Sequence, residues 1–165
     1  MLIGCFIRGF KSFSKSEFVQ LVLDPEEKYT SLLGQNGVGK SAVLESLNFL
    51  FHAEEQWNFN KDLGKKDTNY VVGVFALNKE KIRKDFKGQK SILNGIVYMD
   101  EILSRISKSS QSMSSDVLLK FRKALNDFPT EKYFLVLAGL DAKREGTFGP
   151  INKDMAKELD GKGVD

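Results

Sequence analysis

The sequence is poor in the residues that build disulfide frameworks and histidine-rich metal sites. Its 165 residues include one cysteine, Cys5, one histidine, His52, and three prolines. A single cysteine excludes an intramolecular disulfide, and a single histidine excludes a site with several histidine ligands. We therefore expect Cys5 to be a core thiol within a strand. We expect His52 to end a helix, where the dipole favours it.

Long apolar runs are also missing. The stretch Leu2–Ile7 is too short for a signal peptide and lacks a basic lead-in. No run approaches the roughly 20 apolar residues of a membrane span, so we expect a cytoplasmic protein without a membrane partner. The length predicts a single domain over residues 1–165, or a large part of one. A net charge of +3 permits a nucleic-acid partner without requiring one.

Glycine is present where it matters most. Residues 34–41 read Gly-Gln-Asn-Gly-Val-Gly-Lys-Ser and fit G-x-x-x-x-G-K-[ST], the phosphate-binding loop of nucleoside triphosphatases. Tyr29–Leu33 reads as a short buried strand entering the loop. The apolar residues from Val43 to Phe51 recur at helical spacing behind it. The order strand, glycine-rich loop and helix predicts nucleotide binding.

Each residue type in the loop has a physical task. The glycines let several backbone N–H groups converge on one anion, and the following helix adds the positive end of its dipole. We expect Lys40 to reach the β- and γ-phosphates and the Ser41 hydroxyl to ligate Mg²⁺, so that ATP and Mg²⁺ are the cofactors. The complete set of expected loop contacts is Gly34, Asn36, Gly37, Val38, Gly39, Lys40, Ser41 and Ala42.

Two motifs in the first 52 residues resemble one family. The segment Ile7–Phe13, which reads IRGFKSF, resembles the N-terminal signature of SMC-type ATPase heads, whose superfamily includes the RecF, RecN and OLD-like ATPases. The loop resembles that family's GxNGxGKS form, with the characteristic Asn36. The stretch Ala42–Leu47 resembles the start of its loop helix, although Ala42 stands where SMC proteins proper usually have Asn.

This resemblance implies a fold and a function. The fold would be α/β, a P-loop NTPase with a mixed β-sheet and flanking helices, as in the N-terminal part of an ABC/SMC-like ATPase head. Lys11 and Ser12 would lie beside the nucleotide as secondary contacts. Such heads sandwich ATP between two copies or with a partner subunit. They act in DNA repair, chromosome maintenance or anti-phage defence.

The chain departs from the family after residue 52. No signature motif, Walker B strand or switch histidine of the SMC type is recognisable. We therefore expect the N-terminal portion of a longer protein, or a degenerate relative, in which hydrolysis needs parts that this chain does not supply.

One stretch allows a different interpretation. Ile96–Met99 followed by Asp100 and Glu101 can be interpreted as a Walker B strand, with Asp100 holding Mg²⁺ and Glu101 polarising water. The chain would then be a self-contained AAA+-like ATPase or a small P-loop kinase, with Glu101 as its candidate catalytic residue. The N-terminal motifs favour an accessory strand instead. A third hypothesis is a non-catalytic module in which nucleotide controls an interaction.

The remaining pattern predicts further elements. Strands are expected at 2–8, 18–23, 70–77, 92–99 and 132–138, and helices at 79–86 with Asn78 as its cap, from Asp116 onward, and at 152–159. The serine-rich segment 104–115 is expected to be mobile, and 141–150 to be a polar loop. A basic run consists of Lys79, Lys81, Arg83, Lys84, Lys87 and Lys90. We interpret it either as a solvated face or as a contact for the DNA backbone.

Overall fold

The computed structural model describes residues 1–22, 30–52, 57–63, 69–108, 116–126, 128–143 and 145–148. They form five strands and four helices. The strands are β1 (Leu2–Arg8), β2 (Glu17–Gln20), β3 (Tyr70–Asn78), β4 (Tyr133–Asp141) and β5 (Gly146–Phe148). The helices are α1 (Lys40–His52), α2 (Lys79–Asp85), α3 (Lys90–Lys108) and α4 (Asp116–Asn126).

The strands form one sheet in the order β2-β1-β3-β4-β5, and every neighbouring pair is antiparallel. The predicted mixed sheet is therefore not what these strands build. The mixed sheet was implied by the family resemblance. The strand expected to enter the phosphate loop is also missing, since residues 30–33 carry no strand.

That missing strand is a clear difference from the sequence-based expectation. Leu33 is 90% exposed, which is incompatible with a buried strand. A buried strand needs partners for its backbone groups, and no described strand pairs with 30–33. Instead the segment is tied to the end of β2 by its side chain, since the Thr30 hydroxyl donates to the Leu21 carbonyl.

Strand β1 has a bulge near its start, and side chains before and after the bulge are buried on opposite faces of the sheet. The register of β1 against β3 shifts between Leu2 and Gly4, and the backbone N–H groups of Leu21 and Val22 both reach the carbonyl of Ile3. Strand β2 ends at Gln20, whereas the sequence predicted a strand that continues to residue 23. Because side chains alternate along a strand, the bulge moves Ile3 to the face opposite Cys5 and Ile7.

The sheet consequently has a core on each face. Helix α1 packs on the first face, and we call the core there the loop-side core. Its buried members are Cys5, Ile7, Phe10, Val43, Phe49, Trp57 and Val71. The second is the α4-side core: Ile3, Phe18, Val74, Ala76, Leu103, Phe121, Ala124, Leu125, Phe128 and Leu135. A smaller cluster joins α3 to β4 through Ile92, Ile96, Phe134 and Val136.

The predicted strand at 92–99 is wrong, because these residues lie inside helix α3. The buried residues Ile92, Ile96 and Leu103 follow helical spacing, whereas Val97 and Tyr98 are 37% and 66% exposed. The same helix contradicts the predicted mobile segment over 104–108, and 109–115 lie outside the described residues.

Several other predictions are confirmed. β1, β3 and β4 and helices α1, α2 and α4 occur where the pattern placed them. The Asn78 side chain accepts a hydrogen bond from the Lys81 N–H at 2.9 Å and so caps α2. The predicted polar loop at 141–150 is wrong in part, since β5 begins at Gly146. The predicted helix 152–159 lies outside the described residues.

Candidate functional site

The glycine-rich loop leads directly into helix α1. Gly37 and Gly39 have φ values of 87° and 98°, a region that residues with a Cβ rarely adopt. The N–H of Val43 donates to the Gly39 carbonyl at 3.0 Å and closes the first helical turn. No acidic residue lies in that turn, so no carboxylate within the turn offsets the positive end of the helix dipole.

Lys40 is held by the loop that precedes it. Its ammonium donates to the carbonyl oxygens of Gly34 at 2.6 Å and of Gln35 at 2.8 Å. The loop backbone therefore curls around the Lys40 side chain. Ser41 is exposed at the start of α1, and Ala42 is buried beneath it.

The two motifs that carry the resemblance lie against each other. Residues Gly9–Phe13 form a tight turn, in which the Gly9 N–H donates to the Phe13 carbonyl at 2.7 Å. A Cβ on Gly39 would approach the Ser12 Oγ to 2.9 Å, so any side chain at this position would displace the Ser12 hydroxyl from the loop. The structure thus brings Lys11 and Ser12 beside the loop.

A cavity of about 270 Å³ lies where the motifs meet, and Lys11, Ser12, Asn36, Gly37, Gly39, Lys40, Ser41 and Ala42 line it. A second cavity of about 640 Å³ shares Ser12 and Gly37 with it and extends toward β2. Val38 lines this second cavity, and its side chain is 58% exposed. Lys120 of α4 closes the far wall and pairs with Glu17 at 3.1 Å.

Residues 57–60 support the turn. The Trp57 indole N–H donates to the Gly9 carbonyl at 3.0 Å, and the Lys11 N–H donates to the Asn58 carbonyl at 2.7 Å. The Asn60 amide donates to the Lys11 carbonyl. These bonds hold Lys11 at φ 48°, the one positive φ among the described residues other than glycine. The Trp57 ring itself is buried in the loop-side core.

Sequence reasoning missed Glu45 as a site residue. Its carboxylate forms an ion pair with the Lys11 ammonium and also accepts a hydrogen bond from the Asn58 amide at 3.3 Å. Helical spacing was the available signal, since Glu45 lies four residues after Ser41 and on the same side of α1.

Asp100 and Glu101 are not positioned as a Walker B pair. Both lie within helix α3, and neither lines the cavity that contains Lys40. An Asp100 carboxylate oxygen accepts the Leu135 N–H at 2.8 Å, on the side of β4 that faces away from β3. Glu101 is exposed and lies 3.8 Å from Arg105 of the same helix. The alternative interpretation as a Walker B strand does not fit this placement, and the favoured accessory strand is wrong because the segment is helical.

The basic run lies at the other end of β3 from the loop. It follows Asn78 through α2 into the start of α3. Lys79 donates to the Thr130 carbonyl at 2.9 Å. The charged groups of Lys79 and Arg83 lie 5.3 and 5.5 Å from the Phe134 ring centre. Two of the six cations thus have a packing role.

Cys5 and His52 occupy the predicted positions. Cys5 is buried in β1, and burial raises the pKa of its thiol to about 12, which makes it a poor nucleophile. His52 is in the last turn of α1, with Nδ1 3.3 Å from the Asn48 carbonyl. Both predictions are confirmed.

Within the part of the chain that the structure describes, no helix has the length and apolar character needed to cross a bilayer. Comparisons with protein-family models, with curated proteins and with solved structures found no match.

Proposed function

We propose that this protein binds Mg-ATP at the 34–42 loop and is an SMC-like P-loop ATPase head or the N-terminal portion of one. The observation that carries the proposal is the arrangement around Lys40. Its ammonium lies within the glycine-rich loop, at the start of a helix whose first turn has no acid. A phosphate there would receive loop N–H groups, the helix dipole and a cation together.

The adjacent residues would complete the site. Lys11 and Ser12 line the same cavity and would contact the phosphates from the side opposite the loop. Among the described residues, no group of three or more His, Cys, Asp or Glu side chains could hold a metal ion. Mg²⁺ would therefore be bound with the phosphates, and the exposed Ser41 hydroxyl would be its protein ligand.

Hydrolysis, in this proposal, needs a second head or a partner subunit. Glu101 lies in helix α3, away from the loop. Such a partner would cover three large apolar side chains that are exposed near the loop and along α1, namely Leu33 at 90%, Leu44 at 61% and Phe51 at 58%.

By resemblance we propose a cytoplasmic role in DNA repair, chromosome maintenance or anti-phage defence, with DNA as a partner.

A second candidate is a non-catalytic module in which bound nucleotide only controls an interaction. The helical placement of Asp100 and Glu101 favours it, because it removes the catalytic pair of a self-contained enzyme. ATP-dependent association without phosphate release in the presence of the partner would support this candidate over the ATPase head.

Replacement of Lys40 tests nucleotide binding. Loss of a charge-assisted hydrogen bond costs about 1.5–3 kcal/mol, so Lys40→Ala should weaken Mg-ATP binding roughly ten- to a hundredfold. Calorimetric titration gives the affinity. Lys87→Ala, which removes the same charge beyond the other end of β3, should bind like the unchanged protein. Equal affinities for all three proteins would rule out this use of the loop.

A further inference from the structure

We propose that Glu45 is a positioning residue that competes with the triphosphate for the Lys11 ammonium. The inference rests on the proposed function, since it assigns a role at the same cavity. It adds an internal acceptor that Lys11 exchanges for phosphate when nucleotide binds.

The contacts of Glu45 join three parts of the site. One carboxylate oxygen binds the Lys11 ammonium, and the other accepts the Asn58 amide at 3.3 Å. Glu45 belongs to the loop helix α1, Lys11 to the Gly9–Phe13 turn and Asn58 to the segment that supports this turn. The carboxylate is therefore held on one side by Asn58, while its other side holds a cation that lines the cavity.

The backbone of Lys11 is fixed, whereas its side chain can move. The Lys11 N–H is bonded to the Asn58 carbonyl at 2.7 Å, and the Lys11 carbonyl accepts the Asn60 amide. The side chains of the ion pair are each 36% exposed. An exchange of partners therefore requires only rotation about side-chain bonds, and the turn that carries Lys11 stays in place.

Charge decides the direction of the exchange. A triphosphate carries several negative charges and offers more acceptor oxygens than one carboxylate, so it can displace Glu45 from the ammonium. The cost is small, since an ion pair at this exposure contributes little. Lys40 differs, because its ammonium is held by two loop carbonyls that carry no net charge and would keep its place when phosphate binds.

A double-mutant cycle tests the competition. Glu45→Gln keeps the size of the side chain and an acceptor oxygen but removes the charge. It should bind a non-hydrolysable ATP analogue with Mg²⁺ about two- to fivefold more tightly than the unchanged protein. In the Lys11→Ala background the same substitution should give no gain, because the contested cation is gone. The gain should also shrink in about 0.5 M salt, which screens the charges.

Controls separate this effect from general charge and from misfolding. Glu80→Gln removes the same charge from α2, beyond the far end of β3, and should leave the affinity unchanged. Emission from Trp57, which packs edge-on against Phe10 and Phe49, reports whether each variant is folded.

Each other outcome has a definite meaning. A gain that persists with Lys11→Ala would show plain repulsion between Glu45 and the phosphates and would overturn the competition. Unchanged or weaker binding by Glu45→Gln would also overturn it and would leave the proposed function intact. Absence of binding by the unchanged protein would overturn both.

Discussion

At the scale of single residues, Gly39 is required for two independent reasons. Its φ of 98° disfavours any side chain, and a Cβ would lie 2.9 Å from Ser12 Oγ. Gly88 offers a matched comparison, because its φ is 93° and a Cβ there would meet nothing within 4 Å. Comparison of Gly39 with Gly88 therefore distinguishes the cost of backbone strain, which both share, from the cost of the close contact with Ser12, which only Gly39 has.

We therefore expect unequal effects of the same substitution. Gly88→Ala should cost about 1–2 kcal/mol of stability, the strain of a left-handed residue, and should leave Mg-ATP binding intact. Gly39→Ala should cost more and should also weaken Mg-ATP binding, because the Ser12 hydroxyl, which lines the same cavity, must shift. Urea denaturation and calorimetric titration measure the two quantities. Equal costs, with binding unaffected in both variants, would contradict the close contact.

The buried thiol of Cys5 predicts a pH dependence of stability. Burial raises its pKa from 9.0 to about 12, so the folded protein holds this proton more tightly than the unfolded chain. The stabilisation is complete below about pH 9 and is lost as the pH rises from there toward 12, by at most about 1.4 kcal/mol per pH unit.

Comparison with Cys5→Ala isolates that contribution. Urea unfolding between about pH 8 and 11 should show a steeper loss of stability for the unchanged protein than for the variant. Other groups that titrate in this range contribute to both proteins. Parallel slopes would show that the thiol does not titrate in this way.

At the scale of elements, helix α3 uses Asp100 to complete the sheet. No described strand pairs with the Leu135 N–H, and the Asp100 carboxylate accepts it at 2.8 Å. Asp100→Ala would leave this N–H without its acceptor, at a cost of about 1–3 kcal/mol. Glu101→Ala removes a charge from the adjacent exposed position and should cost less than about 1 kcal/mol. Chemical denaturation measures both.

The same comparison decides between a structural and a catalytic Asp100. A structural role predicts that Asp100→Ala lowers stability and leaves Mg-ATP affinity unchanged. Weakened Mg-ATP binding in a variant of normal stability would show instead that Asp100 reaches the metal.

The sequence pattern alone predicted the elements whose residue types and apolar spacing favour the same secondary structure. The helical stripe from Val43 to Phe51 indicated α1, and the β-branched run of β3 indicated a strand. The stretch Ile92–Met99 failed, since β-branched and aromatic residues favour a strand although Ile92, Ile96 and Leu103 repeat at helical spacing. Propensity was outweighed by the packing of α3 on β4.

The candidate site divides in the same way. The glycines, Lys40 and Ser41 are contiguous in sequence, so the pattern sufficed to find them. The turn beside them was placed only through resemblance to a family. Helical spacing places Glu45 on the same side of α1 as Ser41, but it does not predict the pairing of Glu45 with Lys11. The supporting bonds from Trp57, Asn58 and Asn60 also join distant segments, which no local period encodes.

At the scale of the whole molecule, we expect binding without efficient turnover. In the proposed function, the loop, Lys40 and Ser41 supply the contacts for binding. Hydrolysis also needs a group that orients water and cations that stabilise the transition state, which are worth factors of about 10³–10⁵ in rate. Phosphate release by the purified 165-residue chain at saturating Mg-ATP should therefore be slow at every protein concentration. Turnover near or above one per second, abolished by Lys40→Ala, would show that the chain is catalytically complete.

The placement of α3 against β4 also bears on aggregation. Strand β5 pairs with β4 only near Gly139 and Leu140, and α3 covers the part that includes Leu135. If α3 detached from this position, backbone donors and acceptors along the edge of the nine-residue strand β4 would be exposed. Exposed strand edges of this kind pair with strands of other molecules. Partial unfolding that begins at α3 would therefore favour sheet growth between molecules.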